Sequence, residues 1–131
     1  MHVVTRLDAW FTERLRTLDC SPETIAYVAG VLKAQAHPRH SEDLSNESIV
    51  VAYSAARSSG DFVSYQRLGD WVLFVDIAMP GSMGNQRDLI EVVGRLSYSA
   101  CYRLVNRQWP VFDELSDRLP VLADAARTLL T

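Results

Sequence analysis

Residues 61–81 read DFVSYQRLGDWVLFVDIAMPG. From Phe62 to Met79 the apolar side chains fall almost all round a helical wheel. Val72 to Val75 alone would pass for a buried strand, but Trp71 to Met79 continues the helix begun at Phe62. Asp61 is placed to cap that helix, and Pro80-Gly81 to end it. A helix that is greasy on every side belongs at the centre of a bundle.

Two acids interrupt this run. Asp76 lies in its most apolar arc, among Phe62, Tyr65, Gly69, Val72 and Leu73. An ionised carboxylate there needs a cation or hydrogen-bond donors. Arg57, on the inner face of the preceding helix, is the first expected partner, with Arg95 and Arg103 on the following helix as alternatives. An acid with a raised pKa in a cleft would serve as a general base, whereas a paired one fixes helix registry. Asp70 falls beside Gln66 and Arg67 on the more polar side, which predicts exposure. Gly69 costs about 1 kcal/mol against alanine in a helix interior and marks the close approach of a neighbour. Gly30 and Gly94 invite the same reading.

Working outward, a helix runs from Ser45 or Asn46 to about Ser59, with Gly60 as its stop. Ahead of it, residues 37–46 are polar and turn-rich. Ser21-Pro22-Glu23 starts an earlier helix with a capping hydroxyl, a proline at the first position and an acid at the positive dipole end. Its inner face is Ile25, Val28, Ala29, Leu32 and Ala36. The first helix spans about 3–18 on a stripe of Val4, Leu7, Phe11, Leu15 and Leu18. Downstream, a helix over about 86–107 carries a core stripe of Leu89, Val93, Leu96, Ala100 and Leu104. Glu91, Arg95, Tyr98 and Tyr102 lie opposite that stripe. Pro110 and Pro120 sit near the starts of two shorter helices. There is no strand alternation and no internal repeat. The expectation is an all-α chain, a compact bundle of about six helices forming one domain over residues 1–131.

Composition agrees. The 131 residues are 48% hydrophobic, far too apolar for a disordered chain. The net charge of −3 is spread evenly, with six basic and eight acidic residues in 1–65 and seven and eight in 66–131. Nucleic-acid binding, which draws on a basic patch, is therefore not expected. No apolar run approaches the roughly 20 residues of a membrane span. The first residues lack a secretory pattern, and Cys20 and Cys101 do not make a disulfide framework, so a cytoplasmic protein with reduced thiols is expected.

Catalytic motifs are missing. There is no phosphate-binding glycine loop, no paired-cysteine motif and no nucleophile elbow. His37 and His40, with Glu42 and Asp43, imitate a metal site, but Pro38 breaks the spacing, so no metal or cofactor is expected. Cys101 reads as an inert core thiol. Tyr27 and Val31 lie opposite the core stripe of their helix, as Tyr98 and Tyr102 do on theirs. Spare faces bearing tyrosine suit protein contacts.

The segments Arg67-x-Gly69-Asp70-x-x-x-Phe74 to Pro80 and Gly94-Arg95-x-x-Tyr98 resemble a set of small all-helical bacterial proteins of no established activity. The resemblance covers roughly residues 62–104 and implies an all-helical fold. It also implies an inner constellation of Gly69, Asp70, Gly94 and Arg95, with Asp70 facing Arg95. Two functions follow as expectations. The first is a non-enzymatic interaction or regulatory module, a homodimer or a binder of another protein, with Tyr27, Val31 and Tyr102 at the contact. The second is a small-molecule-binding protein or enzyme with a polar pocket among the third, fourth and fifth helices, lined by Arg57, Asp70, Asp76, Arg95 and Tyr98.

Overall fold

A computed structural model describes the backbone of residues 2–35 and 46–131, and the side chains of 9–35 and 48–131. The chain is an all-α bundle, with six helices among the described residues: α1 (His2–Leu15), α2 (Pro22–Gln35), α3 (Asn46–Ser59), α4 (Phe62–Ala78), α5 (Arg87–Leu104) and α6 (Pro110–Leu130). A 3-10 segment, Pro80–Gln86, links α4 to α5. There is no strand among the described residues. No helix among them is long and apolar enough to cross a membrane.

The helix starts and stops follow local chemistry. The Ser21 hydroxyl accepts the Thr24 N–H at 3.2 Å, with Pro22 and Glu23 in the first turn of α2. Gly60 closes α3 at φ +64°, donating its N–H to the Ala56 carbonyl at 2.9 Å. Asp61 sits at the N-cap of α4, but its carboxylate accepts the Ser64 hydroxyl rather than a backbone N–H. The first helix stops at Leu15, and a turn brings Leu18 into the core, its N–H bonded to the Leu15 carbonyl.

The break expected between two C-terminal helices is present: α6 spans Pro110–Leu130 but is interrupted at Arg118 (φ −124°, ψ 16°), two residues before Pro120. Proline has no N–H to give the carbonyl four residues back, which here belongs to Ser116. Arg95 of α5 supplies the missing donor, its Nε lying 2.8 Å from that oxygen. The kinked helix is thus tied to its neighbour at the point of its own defect.

As the apolar run predicts, α4 is central, burying Tyr65, Leu68, Val72, Leu73, Val75 and Ile77. Its main neighbour is α5. Gly94 permits that approach: a Cβ there would lie 2.6 Å from Val72 Cγ1. Gly69 does the same for a ring, since a Cβ there would lie 2.9 Å from Tyr98 Cε1. Gly30 has no such role; it is exposed, and a Cβ would meet nothing.

The turn between α1 and α2 is fastened to α6. Glu114 accepts the Ser21 N–H and hydroxyl, each at 3.2 Å, and Arg118 donates to the Asp19 carbonyl at 2.6 Å. Burial works against the Glu114 carboxylate, but hydrogen bonds from Thr24 and Ser21 outweigh it and hold its pKa below the usual value.

Candidate functional site

Three features hold the unusual chemistry of this chain: two buried polar clusters and one exposed helix face. The first cluster joins α2, α4 and α5. Asp70 is half-buried, and its Oδ1 accepts the hydroxyls of Tyr27 and Tyr98, both at 2.7 Å. Gln66 donates to the Tyr27 oxygen at 3.1 Å. Around them Tyr98 stacks on Phe112, and Tyr27 meets Phe112 edge-on. Burial pushes the Asp70 pKa up, against the lowering effect of the two hydroxyls. Burial, reinforced by the Asp70 charge, raises both tyrosines, and it pushes the Cys101 thiol up to about 12. These groups stay protonated at neutral pH and supply no nucleophile.

Both expectations for Asp70 are therefore corrected. It is not solvated beside Arg67, and it does not face Arg95. Two phenols answer it, and Arg95 is spent on the Ser116 carbonyl. Tyr98→Phe keeps the ring and removes one of the two donors. A urea titration is expected to show a loss of about 1–2 kcal/mol. An unchanged midpoint would mean that the hydroxyl is idle.

The second cluster lies where α4, α5 and α6 meet. Asp76 is fully buried, as its position on the wheel predicts, but its partners differ from those expected. Arg57 is exposed on α3, one turn from the α3–α4 connection, while Asp76 is at the far end of α4. Arg103 is exposed at the C-terminal end of α5. Arg87, at the first position of α5, instead lies 3.1 Å from Asp76 Oδ1 through Nη2 and 3.2 Å through Nε. Arg127 of α6 donates to the Asp76 carbonyl at 2.7 Å and lies 3.7 Å from its carboxylate. Asp124 bridges the two guanidiniums at 2.7 and 2.9 Å. Arg87 Nε also lies 3.4 Å from Glu91 Oε2.

Three buried atoms in this cluster lack a hydrogen bond: Asp76 Oδ2, Glu91 Oε2 and Arg127 Nε. Burial raises the Asp76 pKa to about 7, and the neighbouring Glu91 carboxyl adds to this against the pull of Arg87. Asp124 shifts the other way, held down by its bond from Arg87. Asp76 thus has the proton affinity of a general base, yet no atom of it reaches solvent. Two described clefts open elsewhere. One, of 370 Å³, is lined by Arg103, Asn106 and Arg107; the other, of 240 Å³, by Val92, Arg95, Leu96, Ser99 and Ser116.

The third feature corrects part of the expected facing of α5: Val93 and Ala100 of the expected core stripe are buried, but its leucines are not. Leu89, Leu96 and Leu104, assigned to the core, are exposed, while Glu91, Ser97 and Tyr98 are buried. The core face is Ile90, Val93, Gly94, Ser97, Tyr98, Ala100 and Cys101. On α2 the expected contact face also turns inward: Val31 is in the core, and the Tyr27 hydroxyl is used by Asp70. Tyr102 is half-buried against the core.

The sequence does not single out Arg87, Asp124 or Arg127, and it places Glu91 on the stripe of α5 opposite the expected core without linking it to Asp76. Their signal was present: Arg87 with Glu91 and Asp124 with Arg127 are opposite charges at helical spacing. The short link from α4 to α5 also brings position 87 back beside 76. His37, His40, Glu42 and Asp43 lie outside the described residues. Among the described ones no group of three or more His, Cys, Asp or Glu is placed to hold a metal ion. No family model, curated protein or solved structure matches the chain.

Proposed function

We propose that the chain is a protein-interaction module that docks through the outward side of α5. One observation carries this reading. Leu89, Val92 and Leu96 follow the i, i+3, i+7 spacing of a single helix face, and they leave 41%, 48% and 45% of their surface in water. The same helix buries a glutamate, a serine and a tyrosine. A helix that hides polar groups and presents a contiguous apolar strip is shaped for a protein surface. The alternative pocket among α3, α4 and α5 draws no support from the geometry, because Asp70 and Asp76 are answered by other side chains of the chain itself.

A benzophenone amino acid placed at Val92 tests this. Irradiation in cells producing the full chain is expected to give covalent protein adducts at position 92, and none when the same group replaces exposed Glu23. Leu96→Asp should abolish the adducts. Their absence at position 92 would refute the reading.

A further inference from the structure

We infer that the occupant of the α5 face is a second copy of this chain, laid antiparallel across it. The inference rests on the interaction reading above and commits it to one partner. Its basis is the charge at the two ends of the apolar strip. Asp88 stands eight residues before Leu96 and Arg103 seven after it. Both are exposed, and neither has an ion-pair partner among the described residues. At 1.5 Å per residue they lie about 12 Å and about 10.5 Å from Leu96 in opposite directions along the helix.

A two-fold axis through Leu96, perpendicular to α5, reverses the second copy. Arg103 of that copy then comes level with Asp88 of the first to within about 1.5 Å along the helix. The symmetry repeats the pair at the other end, as any two-fold interface must. A parallel arrangement would set Asp88 against Asp88 and Arg103 against Arg103. In the middle, Val92 and Ser99, four residues before and three after Leu96, come opposite one another, while Arg95 comes within about 3 Å of the level of its own copy, its Nε turned aside onto the Ser116 carbonyl. The 240 Å³ cleft beside Leu96, walled by Val92, Arg95, Ser99 and Ser116, is a recess for the leucine of the other copy. The strip is one helix wide, which makes this a small interface and a concentration-dependent dimer.

Sedimentation equilibrium of the purified full chain over about 5–500 µM tests the inference. A monomer–dimer equilibrium is expected. Leu96→Asp should leave a monomer whose circular dichroism melt matches that of the original chain at concentrations where the latter is also monomeric, because that side chain is not in the core. Asp88→Arg and Arg103→Asp should each weaken the dimer by about tenfold, since each turns two attractions into two repulsions. The double variant Asp88→Arg/Arg103→Asp should restore it.

A strict monomer at the highest concentration overturns the inference. So does a dimer indifferent to Leu96→Asp, or one weakened by it but indifferent to both charge reversals. The interaction reading fails separately, on the absence of any adduct at Val92. Adducts there to a different protein, with a monomeric purified chain, would leave that reading standing and remove the second copy.

Discussion

Gly94→Val is expected to leave the chain without a cooperative unfolding transition. A Cβ at position 94 lies 2.6 Å from Val72 Cγ1, 2.9 Å from Val72 Cβ and 3.1 Å from Leu119 Cδ1. Val72 and Leu119 are fully buried, so neither has free space to move into. Forcing extra carbons into a close-packed site costs about 1–3 kcal/mol even where neighbours yield. Here the valine pushes apart the central pair of helices and α6 together, against a total stability of only about 5–15 kcal/mol. Gly94→Ala is the graded form. It gains about 1 kcal/mol of helix propensity and loses more to the clash, for a net loss of about 2 kcal/mol. Adding Val72→Ala removes Cγ1 but leaves Cβ in place, so it should restore only part of the lost packing. Urea titrations of the three variants check this. A Gly94→Ala protein as stable as the original would show that the helices separate at no cost.

The second large effect is a fall in stability as pH rises from about 4 to about 7. The Asp76 carboxyl has its pKa raised from 3.8 to about 7 in the fold, chiefly by burial. Below pH 4 it is protonated in both states and contributes nothing. Between 4 and 7 the unfolded chain releases the proton and the folded chain keeps it, so higher pH favours unfolding. Above 7 it is ionised in both states, and the cost of a buried charge is complete. About three pH units at about 1.4 kcal/mol each set that cost on the order of 4 kcal/mol. Asp76→Asn, which stays neutral throughout, should flatten the decline. A denaturant midpoint that is level across this range in the original chain would show that Arg87 and Arg127 compensate the charge in full. The opposite trend belongs to Asp124 and Glu114, whose lowered values withdraw stability only as pH falls through them.

The fold was legible because its signals are local. Ser21-Pro22-Glu23, Gly60 and the apolar run from Phe62 each set a boundary through chemistry within a few residues. The site was only half legible. A wheel shows that Asp76 points inward, since that depends on its own helix. It does not show that Arg87 and Arg127 answer it, since that depends on how three helices cross. On α5 the error has one source. A hydrophobic wheel ranks leucine above glycine, although Gly94, Ser97 and Cys101 together form the narrow face that a close neighbour requires. Asp70 was misread for a related reason: its partners are uncharged phenols on two other helices, which no charge pattern reveals.

The clasp between the α1–α2 turn and α6 bears on the order in which this molecule takes shape during synthesis. Ser21 and Asp19 wait for Glu114 and Arg118, which emerge 93 and 99 positions later. Until then the nascent chain also lacks Phe112, the ring on which Tyr27, Phe62 and Tyr98 converge. The first two helices therefore leave the ribosome well before the partners of their connecting turn, and α6, made after the other five, brings in the ring of Phe112.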